Sequence, residues 1–177
     1  MDLFDMNSDS IIMNIDGKDM EMKTAICYDK KIDKWLVSEC GKVWSIAQGQ
    51  NKFLTGKKCY NFSKEGKRLK CVSLALKTPT GFWEDGSGSD RPDNTTGRNI
   101  KLHTIVMDTW APLYDNPPVG VSWDEWEIAR DLPTVFELIS KTVVIDHKDD
   151  NPLNNHKDNL FRKTAWDNNP SRKGKGI

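Results

Sequence analysis

Asp146 and His147 close a short β-branched run, Val143-Val144-Ile145, and a loop rich in Asp, Asn and Pro follows them over residues 148–157. A carboxylate beside an imidazole is a chemically pointed pair, because the oxygen donor suits a hard divalent cation and the ring nitrogen can take a proton next to it. A second apolar-basic run, Leu160 to Lys163, can pair back on the first. Thr164 then stands as an N-cap with Asp167 three residues on, a capping-box-like start in which an acid also suits the positive end of a helix. Asn168 falls just inside that helix. The order is therefore strand, loop, strand, helix. Packing of the hairpin on the first helical turns would bring Asp146, His147 and Asn168 to one small surface.

The run Val144-Ile145-Asp146-His147-Lys148-Asp149, then Leu153-Asn154-Asn155 and Asp158-Asn159-Leu160, with Asn168 beyond, resembles the HNH (ββα-metal) homing endonucleases in their His-Asn-Asn form. The resemblance implies His147 as the general base that activates water and Asn159 as the residue that braces the loop and orients it. It implies Asp146 and Asn168 as ligands of one divalent ion, magnesium with manganese able to substitute, held against the scissile phosphate. Two departures stand out: Asp150 replaces a frequent Gly, and Phe161-Arg162-Lys163-Thr164 replaces a common Trp-Val-Thr. Neither removes an implied ligand. His156 is a second imidazole in the loop, ranked below His147 because it lacks the adjacent acid.

The rest of the chain must position this hairpin. Ile100 to Trp110 carries Leu102, Ile105, Val106 and Trp110 at helical spacing with Pro112 closing it, and it resembles the family's helix that leads into the nuclease hairpin. There His103 takes a His position and Thr104 replaces an Arg. Trp35-x-Val37-Ser38-x-x-Gly41-x-Val43-Trp44-Ser45-Ile46 resembles the small module that precedes the nuclease motif in many relatives and contributes to their DNA binding. Between helix and hairpin lies an acidic insertion, 117–140, where Ser122 and Glu125 form a capping-box pattern for a short helix and a second helix is expected over 132–139.

The fold expected is α+β: a small N-terminal antiparallel β region, then a C-terminal ββα-metal motif. Residues 1–22 form an acidic segment with an Ile-rich hairpin turning at Asp16-Gly17. Residues 23–77 form a basic β-rich region, 78–99 a flexible loop, and 100–177 the nuclease region. Formal charge is zero overall but segregated: one lysine against six acids in 1–22, sixteen Lys/Arg against eight acids in 23–103, one Arg against seven acids in 104–140, and eight against five in 141–177. A basic face of that kind can track a phosphate backbone while the acids lie elsewhere. Lys57, Lys58, Lys64, Lys67, Arg68 and Lys70 are the expected DNA contacts of a basic ribbon, joined near the site by Arg162, Lys163, Arg172 and Lys173.

Cys27, Cys40, Cys59 and Cys71 have no C-x2-C spacing, so free thiols in a reducing compartment are expected rather than a structural zinc. No apolar run has the length of a membrane span, and a cytoplasmic protein acting on double-stranded DNA is the expectation. A single active site implies a monomer if the enzyme nicks. The alternatives are a less specific phage nuclease for DNA processing or packaging, an inactive DNA-binding relative, and a protein-binding module using the acidic insertion.

Overall fold

The computed structural model describes residues 10–47, 51–64, 66–83, 88–90 and 93–164. It is a mixed α+β protein of mostly antiparallel strands with few helices. β1 (Ser10–Ile15), β2 (Lys18–Cys27), β3 (Lys30–Ser38), β4 (Val43–Ser45) and β5 (Lys52–Phe53) form one antiparallel meander in that order. β6 (Lys57–Ser63), β7 (Gly66–Pro79), β8 (Ser89–Asp90) and β9 (Thr95–Lys101) form a second sheet in the order β6-β7-β9-β8. After β9 come α1 (Leu102–Trp110), α2 (Trp123–Arg130) and α3 (Pro133–Thr142), then the hairpin of β10 (Val143–His147) and β11 (Leu160–Thr164). No described helix is long and apolar enough to cross a membrane.

The turns follow from local chemistry. Asp16 and Gly17 take φ of 55° and 78°, the positive pair a two-residue hairpin needs. The β2–β3 turn is less expected, because Tyr28 and Asp29 both have positive φ (50° and 59°), and a bulky side chain pays for that conformation. Long-range contacts hold it there. The Tyr28 N–H donates to Asp108 Oδ2 at 2.9 Å, and the Arg98 guanidinium lies 4.5 Å from the Tyr28 ring centre.

α1 is the element against which both sheets and the hairpin pack. Its Ile105, Val106 and Met107 are buried with Ala25, Ile32, Val37, Leu74 and Ile100 from the two sheets and Leu160 from the hairpin. Polar ties set its rotation: the Thr109 hydroxyl accepts from the Ile26 N–H at 2.9 Å, and Trp110 Nε1 donates to the Val37 carbonyl at 3.2 Å. Met22, Ile15 and Leu36 form a smaller second core, with Met13 and Met20 packed against it.

Two expectations change here. The stretch 78–99 is not simply a loop: β7 runs on to Pro79, and β9 pairs with β7 from Thr95↔Pro79 to Lys101↔Ser73. Trp83, inside that stretch, is buried in the main core. Backbone pairing to a distant strand outweighs a turn-rich composition. The helix also begins later than its periodicity indicated, at Leu102, because Ile100 and Lys101 belong to β9. The insertion forms the expected pair of helices, with the Ser122–Glu125 capping box present and Trp126 fully buried, its Nε1 donating to the Tyr114 carbonyl at 3.0 Å.

Candidate active site

Alternation along β10 and β11 sets which side chains meet. Asp146 pairs with Phe161, and His147 with Leu160. His147 and Leu160 are buried, Leu160 within the main core, and Ile145 packs against that core. Asp146 lies on the opposite face, its carboxylate accepting the His147 backbone N–H at 3.0 Å. Burial raises the Asp146 carboxyl, but the Lys163 ammonium on Oδ2, the His147 N–H and the neighbouring charges outweigh it and hold the group below the ordinary carboxylate range. It is ionised at neutral pH.

The His147 ring has a definite set of neighbours. Its Nε2 lies 3.4 Å from Asn155 Oδ1. The orientation of that amide is fixed by its other end, because Asn155 Nδ2 donates to the Leu153 carbonyl at 3.2 Å and the Pro152 carbonyl at 3.4 Å. The amide oxygen can only accept, an arrangement that favours the tautomer with the proton on Nε2 and the lone pair on Nδ1. On another side, the His103 ring stands edge-on to His147 at a centroid distance of 5.5 Å. Burial, then Lys101 and His147, push the His103 imidazole down to about 3, so it is neutral.

Asn159 lies at the neck of the loop rather than on the imidazole. Its Nδ2 donates to Asp149 Oδ1 at 2.9 Å and to the Asn154 carbonyl at 2.8 Å, and its Oδ1 accepts from the Asp149 N–H at 3.2 Å. Asp149 also accepts from Asn154 Nδ2 at 2.7 Å and from the Asn151 N–H at 2.9 Å, and these donors pull its carboxyl down to about 2. Asp149 and Asn155 belong to the quoted motif but carry no assigned role in the sequence; the doubled Asn154-Asn155 is the signal there. Asp150, in place of the frequent Gly, has φ of 56°, a left-handed conformation that Asp tolerates better than most residues.

The β3–β4 turn docks the same loop. Gly41 has φ of 83°, and a Cβ there would come within 3.1 Å of Asn155 Cβ. The Glu39 carbonyl accepts the Lys157 N–H at 2.8 Å, and its carboxylate lies 3.2 Å from Lys157 Nζ. His156 turns to this side as well, its Nδ1 accepting the Asp158 N–H at 3.2 Å and its Nε2 lying 3.8 Å from Glu39.

The basic residues divide into two groups. Lys57, Lys58, Lys64, Lys67, Arg68 and Lys70 are exposed on the β6–β7 ribbon, where Lys67 Nζ lies 3.9 Å from the Tyr60 ring centre. Arg162 and Lys163 are only 5% and 7% exposed. The Arg162 guanidinium donates to Asp108 Oδ1 at 2.9 Å and to the Ala111 carbonyl, which removes it from the expected DNA contacts. Lys163 is engaged by Asp146 and likewise does not present a surface cation. Asn168, Arg172, Lys173 and the helix expected after Thr164 lie outside the described residues.

Asp146, His147 and His103 line a groove of about 1030 Å³. Among the described residues no group of three or more His, Cys, Asp or Glu side chains is gathered to hold a metal ion. The ionised oxygen donor of Asp146 fits one ligand position of a hard ion, with the remaining positions left to other oxygen donors. Cys27, Cys40, Cys59 and Cys71 are free thiols.

No family model and no curated protein matches the chain. Among solved structures it is similar to one described as "DNA binding and cleavage by the HNH homing endonuclease I-HmuI", at 20% identity and a TM-score of 0.34, over 81% of this chain and 55% of that one. The chain thus spans about half the length of that protein.

Proposed function

We propose that the protein is an HNH-type endonuclease of the homing kind, hydrolysing phosphodiester bonds of double-stranded DNA. The observation that carries the reading is the approach of His147 Nε2 to Asn155 Oδ1 at 3.4 Å. That contact favours the proton on Nε2 and Nδ1 as the base, on a residue whose backbone N–H is held by the ionised Asp146.

In this mechanism His147 Nδ1 takes the proton from a water molecule as that water attacks the phosphorus. Asn155 keeps the ring from turning and stabilises the imidazolium that forms. The Asp149–Asn159 network keeps the loop, and so Asn155, in place. A divalent ion held by Asp146 and Asn168 would supply Lewis-acid stabilisation of charge on the phosphate and the departing 3′ oxygen. Asp146 would hold the ion as an ionised carboxylate, and cleavage on this pattern leaves a 5′ phosphate. Lys57, Lys58, Lys64, Lys67 and Arg68 of the β6–β7 ribbon contact the duplex away from the cut.

The test is incubation with supercoiled DNA carrying the chain's genomic flanks, with magnesium or EDTA, beside His147→Ala. Magnesium-dependent nicking lost in the variant is the expected result, and mapping the nick tests site specificity. Full activity of His147→Ala would refute the mechanism. Salt-sensitive binding without cleavage would identify a DNA-binding protein instead.

A further inference from the structure

The groove lined by Asp146 and His147 is also lined by Lys70 on β7, Lys101 at the end of β9, and His103 and Thr104 in the first turn of α1. Lys70 and Lys101 are exposed, and no acid forms an ion pair with either among the described residues. Lys141, on the same groove, differs: it sits 2.6 Å from Glu137. α1 begins without a side-chain cap and without an acid in its first turn, so its positive end is left uncompensated. His103 adds a second kind of signal. It is 7% exposed, and its buried Nδ1 has no hydrogen-bond partner. Leaving such a group unpaired is costly unless a ligand supplies a partner.

Two unpaired ammonium groups, an open helix N-terminus and an unpaired imidazole nitrogen make a site for a singly charged oxyanion that can approach closely. A phosphodiester of the bound strand has that chemistry, and Asp146 and His147 line the same groove. We infer that Lys70, Lys101 and His103 clamp the phosphate next to the scissile one on the cut strand, so that the reacting phosphate is set against His147. The inference rests on the nuclease reading but assigns residues outside its acid–base pair. The clamp acts on binding and register, and His147 on proton transfer.

The experiment is a methylphosphonate scan: duplexes spanning the nick, each with one neutral linkage, are tested for binding in EDTA and cleavage in magnesium with the wild-type chain, Lys70→Ala and Lys101→Ala. Wild-type binding should weaken when the linkage next to the cut is neutral. Lys101→Ala should weaken binding to unmodified DNA by a similar factor and lose nothing further at that linkage. Its salt-dependence slope should fall by about one, the value for one lost phosphate contact, with KM raised. Addition of DNA should also shift the His103 ring nitrogen resonances. Full additivity at every linkage, or an unchanged salt slope in both lysine variants, would overturn the clamp. If the chain binds DNA without cutting, the nuclease reading fails separately, and the scan read across the binding footprint still decides whether one phosphate is sensed by these lysines. A chain that binds no DNA overturns both.

Discussion

Asn155→Leu tests the tautomer argument directly. Asn155 is 3% exposed, and its replacement by an apolar side chain of similar size removes the acceptor facing His147 Nε2 without opening a large cavity. A buried donor left unpaired costs about 1–3 kcal/mol, and the 3.4 Å separation argues for the lower half of that range. If about 1.4–2 kcal/mol of this reappears as lost orientation of the base in the transition state, the rate falls roughly ten- to thirtyfold, since each 1.36 kcal/mol is a factor of ten. The assay is single-turnover nicking at saturating DNA, with binding measured separately in EDTA. Nitrogen NMR of the His147 ring supplies an independent readout. The parent chain should show the proton on Nε2, and the variant a mixture of tautomers. An unchanged rate in Asn155→Leu, with His147→Ala inactive, would refute the claim that Asn155 orients the base. A changed rate with an unchanged tautomer would assign the loss to loop packing instead.

Three further outcomes follow from the same geometry. Gly41→Ala introduces both a strained positive φ and a 3.1 Å approach to Asn155 Cβ, so it should cost about 1–3 kcal/mol of stability in urea unfolding and slow nicking; a neutral result would mean that the β3–β4 turn does not support the loop. Asp149 has its carboxyl lowered from 3.8 to about 2, so its support of the loop is fully present above about pH 4 and is lost as pH falls through about 2. Amide exchange at Asn151 and Asn154 should accelerate over that window in the parent and be fast throughout in Asp149→Asn. Lys163 shares the Asp146 carboxylate, so Lys163→Met should lower the magnesium concentration needed for half-maximal nicking; a higher requirement would show that the ammonium assists the site rather than competing with the ion.

The local parts of the site were legible in the sequence because they are written over a few consecutive residues. Asp16-Gly17 makes its turn by backbone preference, Ser122 and Glu125 cap α2 through an i to i+3 relation, and Val143 to Ile145 delivers Asp146 and His147 to a strand end by simple alternation. What the tertiary structure decided depends on partners far apart in the chain. Arg162 looked like a surface cation until Asp108, 54 residues away, closed on it. The turn-rich stretch around residues 94–99 became a strand because β7 was there to pair with it. Asn155 acquired its role from the approach of Gly41 and the fold of the loop, and His103 from the packing of α1 beside β10. Spacing along a chain encodes which side chains share a face, whereas the desolvation and pairing that set their charge and tautomer arise only once distant elements pack together.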